Sequence, residues 1–194
     1  MFNETIISIT RGQLFTDVWG IPPYTKSNKG DYYDNPKRQK NALYKTMGDC
    51  QIVLRFFALL DPEKIKGSMQ KILNNCSKEN MVLSPTQCEK LIDLYIECLS
   101  AAVVVRGKNP FDINSSAGHV KRSVPFQDAL MCSLGRLSDE ERKVVMDNHQ
   151  LANQAIQALT NDEDKYDLLV GRANTSEDTK KRIDAVSEAI RSAL

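Results

Sequence analysis

A chain of 194 residues is long enough to bury one well-formed core or two small ones. Its 41% hydrophobic and 26% charged residues are ordinary for a soluble globular protein, and a formal net charge of +1 removes any global electrostatic argument for nucleic acid or a membrane surface. Five cysteines, odd in number and without a C-x-x-C pair, argue against a disulfide framework or a zinc site and for free thiols in a reducing cytosol.

Helical spacing dominates from the first residues. A short helix is expected at about 2–10. A long connection follows from Gly12 to Pro36, and it holds Trp19, Pro22, Pro23, Tyr24, Tyr32 and Tyr33. A loop of this length in a compact domain is usually functional or packed as a lid, and its aromatics favour packing. The basic run Lys37-Arg38-Gln39-Lys40 comes next, with Lys45 beyond it.

Leu43 to Leu59 reads as one amphipathic helix, with Leu43, Met47, Cys50, Leu54 and Phe57 on a shared face. Arg55 lies inside the apolar run Ile52 to Leu60, where an unpaired cation is costly. Asp49, six residues earlier, or a carboxylate elsewhere in the fold is its natural partner; Asp49 and Arg55 are taken as a structural ion pair.

Start signals then punctuate the chain. Asp61-Pro62-Glu63 offers an N-cap, a first-turn proline and an acid ahead of the stripe Ile65, Met69, Ile72, Leu73 and Cys76. Ser84-Pro85-Thr86-Gln87 is a capping box that leads into Cys88, Leu91, Ile92, Tyr95, Ile96, Leu99 and Val103. The valines before Arg106 fit the end of that helix and a short strand equally. Residues 107–123 read as a polar, flexible loop, and a short helix follows at about 124–135. Ser138-Asp139-Glu140-Glu141 opens a helix with Val144, Val145, Leu151, Ala152, Ala155, Ile156 and Leu159 on one broad face. A short helix is expected at about 163–170, and Thr175-Ser176-Glu177-Asp178 opens the last one, with Ile183, Val186, Ile190 and Leu194 as its seam. The fold expected is all-α: a single domain over 1–194, an irregular bundle of about seven or eight helices.

No catalytic constellation emerges. There is no G-x-x-x-x-G-K-[ST], G-x-G-x-x-G or G-x-S-x-G run, so no cofactor is implied. His119 and His149 stand thirty residues apart without further ligands at short spacing, which favours surface histidines over a metal site. The acidic triplets Asp139-Glu140-Glu141 and Asp162-Glu163-Asp164 are accounted for by helix N-termini. Lys37, Arg38, Lys40 and Lys45 form the one phosphate-facing surface the sequence offers, and Trp19, Tyr32 and Tyr33 lie close enough in sequence to stack on bases or frame a groove. The competing explanation, favoured on residues alone, is a solvated helix start behind an aromatic plug.

Three stretches carry a resemblance. Phe2-Asn3-Glu4-Thr5-Ile6-Ile7, then Lys45-Thr46-Met47-Gly48-Asp49-Cys50-Gln51-Ile52-Val53-Leu54-Arg55-Phe56-Phe57-Ala58, then Asn174-Thr175-Ser176 with Lys181-Arg182-Ile183 resemble, in order, segments of the helical C-terminal half of GmrSD-type restriction proteins. The central stretch matches an "R-M-x-D-x-E-x-V-L-R-F-x-A" helix, with Thr46 where that family usually has Arg. The Asp-Gly-Gln-Gln-Arg run of the ParB-like nuclease half is absent, as is a histidine-based nuclease motif. The resemblance therefore implies a context and no catalytic residue: a cytoplasmic, non-enzymatic helical module in anti-phage defence, docking on a ParB-like nuclease subunit or on DNA through residues 12–45. The alternative is an antitoxin-like or anti-restriction regulator that blocks assembly of such an enzyme. No signal peptide or membrane span is expected, since Ile52 to Leu60 is short and holds Arg55.

Overall fold

Local breakers divide the expected helical stretches into more pieces than periodicity alone implies. The computed structural model describes residues 1–23, 35–114, 120–171 and 174–194. Among these the chain is mostly all-α, with twelve α-helices instead of seven or eight and one two-stranded sheet. No helix of the described residues is long and apolar enough to cross a membrane.

Helix α1 (Phe2–Arg11) buries Phe2, Ile6 and Ile9 at helical spacing and places Arg11 where the dipole favours a cation. Helix α2 (Gln13–Trp19) occupies the first part of the expected 12–36 loop and ends at Gly20, whose φ of 63° is left-handed. Its buried face (Phe15, Thr16, Val18, Trp19) is clustered, and seven residues are too few for periodicity to show. Tyr24, Tyr32 and Tyr33 lie outside the described residues.

Two short helices, α3 (Pro36–Lys40) and α4 (Ala42–Lys45), are capped by the side chains of Asn35 and Asn41. The Leu43–Leu59 helix is then interrupted. Met47 adopts a left-handed backbone, φ 55° and ψ 25°, and α5 (Gly48–Leu59) starts after it. The break changes the buried face. Asp49, Ile52, Val53, Phe56 and Leu59 point into the core, while Leu43, Cys50, Leu54 and Phe57 are only half-buried and Met47 is 60% exposed. Asp61 caps only a 3-10 turn, Pro62–Lys64, and the true cap of α6 (Met69–Glu79) is Ser68.

The Ser84 capping box opens α7 (Pro85–Arg106), in which the valine run stays helical to Arg106. The 107–123 loop is in part a hairpin: β1 (Asp112–Asn114) pairs antiparallel with β2 (Val120–Arg122), Ile113 opposite Lys121. Three-residue strands are too short to show alternation, and their inward anchors, Phe111 and Ile113, sit among polar neighbours in sequence. His119 lies outside the described residues.

Helix α8 (Val124–Gly135) is the centre of the molecule. Every residue from Phe126 to Leu134 is buried, so the helix has no polar face for periodicity to find. Helices α5 and α7 pack against it, as do α11 (Glu163–Val170) and α12 (Ser176–Arg191). At Gly135 a Cβ would stand 2.7 Å from a Leu60 methyl and 3.0 Å from the Phe56 ring, so glycine lets these two side chains seat closely against the end of α8. The Ser138 helix also breaks, into α9 (Asp139–Asp147) and α10 (His149–Asn161), at Asn148, whose side chain donates to Ala193 O at 2.8 Å. Val144 and Leu151 of the expected broad face are exposed as a result, and so is Leu194 of the last seam.

Candidate functional site

The basic segment reaches its position through its caps. Arg38 turns inward from α3 and is only 2% exposed; its guanidinium donates to Pro22 O at 2.9 Å and lies 4.7 Å from the Tyr44 ring centroid. Asn35 donates to Pro23 O at 2.8 Å and Asn41 to Gly20 O at 3.4 Å. These bonds pin α3 and α4 to the end of α2. Arg38 is thus an internal strut, while Lys37, Lys40 and Lys45 are exposed.

Trp19 is not presented at the surface. It is 5% exposed, stacked on Phe111 at 5.3 Å, with the Arg122 guanidinium 5.6 Å from its ring. Its aromatic surface is consumed by the junction of α2 with the hairpin, which the sequence could not show because the hairpin partner lies 92 positions away in a stretch read as loop.

The expected Asp49–Arg55 pair is also replaced. Arg55 forks onto Asp128 of α8: Nε donates to both carboxylate oxygens, at 3.1 and 2.9 Å, and Nη2 makes a third, short contact with Oδ2. Six residues along a helix put Asp49 and Arg55 on different faces, so they cannot meet. Asp49 instead accepts the Cys50 N–H at 2.8 Å. Burial raises its carboxyl above the usual range, partly offset by that N–H and by the charge of Arg38.

Asp49 forms the floor of an open cleft of about 470 Å³ between α1, α3, α4 and α5. Arg11, Arg38 and Lys45 converge there from three helices, with Tyr44, Met47 and Cys50. The Cys50 thiol is pushed up to about 11, by burial and then by the Asp49 charge, which keeps it protonated and a poor nucleophile at neutral pH. Ile7, Thr10 and Arg11 belong to this site although sequence reasoning began it at residue 12; the available signal was the cation at the end of α1. A larger cleft of about 540 Å³ beside α6 holds Lys64, Lys66 and Lys71, but Lys64 is paired with Glu79 at 2.7 Å and Lys66 with Glu63 at 3.5 Å. Its charge is largely neutralised from within. Size therefore does not select the site; the convergence of cations from three helices beside the stretch that carries the resemblance does.

Among the described residues the remaining titratable groups do not form a centre. His149 is exposed, its Nδ1 3.2 Å from Met146 O. Among the described residues no group of three or more His, Cys, Asp or Glu side chains is placed to hold a metal ion. Comparison with known proteins finds no family model, no curated protein and no solved structure that matches this chain.

Proposed function

We propose that the chain is a non-catalytic helical module of a GmrSD-like anti-phage restriction system, and that it docks on a separate ParB-like nuclease subunit through the face built by α1, α3, α4 and α5. One observation carries the reading. Three cations from three elements meet at a cleft whose walls include residues of the stretch most like the GmrSD-type helix, Lys45, Met47, Asp49 and Cys50. A cleft lined by cations from three elements, with its thiol held protonated, is suited to recognition more than to chemistry.

Direct contact with the DNA backbone is the second reading, and Lys37, Lys40 and Lys45 favour it because all three are exposed. Affinity purification of the tagged chain from its native host, with mass spectrometry of what accompanies it, tests the first. Recovery of a ParB-like nuclease subunit is the expected result; a chain that returns alone and monomeric overturns it. A duplex titrated at rising salt decides the second. Steep loss of affinity with salt, and weakening on Lys37/Lys40/Lys45→Ala, would establish backbone contact, while salt-independent or absent binding removes it.

A further inference from the structure

An apolar row runs through the sequence from Leu43 to Phe57, yet the folded chain bends in the middle of it. Leu43, Met47, Cys50, Leu54 and Phe57 follow at spacings of four, three, four and three, and no proline stands between them. Helix α4 nevertheless stops, and Met47 takes the left-handed position that closes a helix and ordinarily belongs to glycine or asparagine. A glycine is present one position too late, since Gly48 is already the first residue of α5. The bend therefore stores backbone strain. It also leaves Met47 60% exposed on an apolar cleft of about 520 Å³, which Cys50 and Leu54, next in its row, line with Ile6, Ile7 and Leu73.

We propose that residues 42–59 are a two-state element, with a bent form in which α4 and α5 are separate and a straight form in which they join as one helix. Straightening returns Met47 to the right-handed region and continues the row of Cys50 and Leu54 through Met47 to Leu43. It also gives the Gly48, Asp49 and Cys50 amides the carbonyls of Tyr44, Lys45 and Thr46. The bent form is held by polar contacts to the end of α2, among them Arg38 to Pro22 O at 2.9 Å, Asn35 to Pro23 O at 2.8 Å and Asn41 to Gly20 O at 3.4 Å. Helix α4 itself has no buried residue, so little apolar packing opposes its release. A few weak contacts on one side and one strained residue on the other is the balance from which two-state elements are made. Tyr44 and Lys45 line the cleft of about 470 Å³, and the straight form removes them from it. The element thus opens and closes that cleft, independently of what the cleft binds.

Two substitutions push the balance in opposite directions without removing a buried side chain. A Cβ at Gly48 would stand 3.2 Å from Leu43 Cδ2 and 3.3 Å from Thr46 Oγ1. Gly48→Ala therefore crowds the bent form, and in the straight form it replaces a poor helix former with the best one. Met47→Gly does the reverse, relaxing the left-handed residue and weakening the straight helix. The measurement is chemical-exchange saturation transfer NMR on the uniformly labelled full chain, read at the Thr46 and Met47 Cα signals on the millisecond timescale of such rearrangements. The native chain should show a minor species with helical shifts at both residues. Its population should rise about threefold or more in Gly48→Ala, and the Thr46 signal of that species should vanish in Met47→Gly. Core resonances of α8 and α12 verify that each variant is folded. The proposal is overturned if neither the native chain nor Gly48→Ala shows a helical minor species. It is overturned equally by a minor species with random-coil shifts, which is local melting, or by a population that the two substitutions leave unchanged.

Discussion

Arg55 and Cys50 show how far a single residue can be understood from its neighbours in sequence. The apolar run around Arg55 already required a carboxylate, yet the one supplied, Asp128, comes from 73 positions away and is fully buried. Deleting one member of such a pair leaves the other uncompensated in low dielectric. Asp128→Ala should therefore cost about 3–5 kcal/mol in urea-induced unfolding, and Asp49→Ala about 1 kcal/mol or less. Equal costs would return Asp49 to the role the sequence had suggested for it.

The cysteines give a second prediction at this scale. Burial first, and a neighbouring carboxylate second, push Cys50 up to about 11, while burial raises Cys76 to about 11 and Cys98 to about 12. These folded values lie above the unfolded one, so the native state holds its thiol protons more tightly. The associated stability is fully present below about pH 9 and is lost as pH rises through the folded values. The melting temperature should accordingly fall from about pH 9 upward. Iodoacetamide alkylation of Cys50, followed by mass spectrometry, should keep accelerating past pH 10, and Asp49→Asn should shift that profile to lower pH. An alkylation rate that levels near pH 9 in the native chain would contradict the burial argument.

At the scale of elements, helix starts were more legible than helix lengths. Ser84 and Ser138 each form the reciprocal capping box their sequences imply, and Thr175, expected only as a helix start, forms a third with Asp178, since a cap is a contact within four residues. Interruptions were not legible. The break at Met47 sits beside a glycine, Gly48, that is itself helical, so composition points to the wrong residue for the turn. The left-handed cost at Met47 is about 1–2 kcal/mol, part of which glycine would forfeit to unfolded-state entropy. Met47→Gly should therefore raise stability by about 0.5–1 kcal/mol in chemical denaturation. A loss of stability instead would show that the contacts of the Met47 side chain outweigh its backbone cost.

The whole molecule is organised by α8, which touches helices from both ends of the chain, α5 on one hand and α12 on the other. No part of the core cluster stands apart from it, Phe2 and Ile9 included. Thermal unfolding should therefore be a single transition, with Trp19 fluorescence and far-UV circular dichroism giving coincident midpoints. Trp19 reports from the α2–hairpin junction and the dichroism from all helices, so separated midpoints would divide the chain into two cooperative units.

By itself the sequence determined what depends on near neighbours: helical spacing, two capping boxes, the short helices at about 2–10, 124–135 and 163–170, and the need of Arg55 for a counter-charge. Tertiary structure alone decided what depends on partners far along the chain. It chose Asp128 for Arg55, gave Trp19 to Phe111, turned Arg38 inward, and brought Arg11 beside Lys45 at one cleft. The physical reason is one of range. Hydrogen bonds within a turn and the 3.6-residue period are written into adjacent residues, whereas burial selects among surfaces that meet only once the chain has folded.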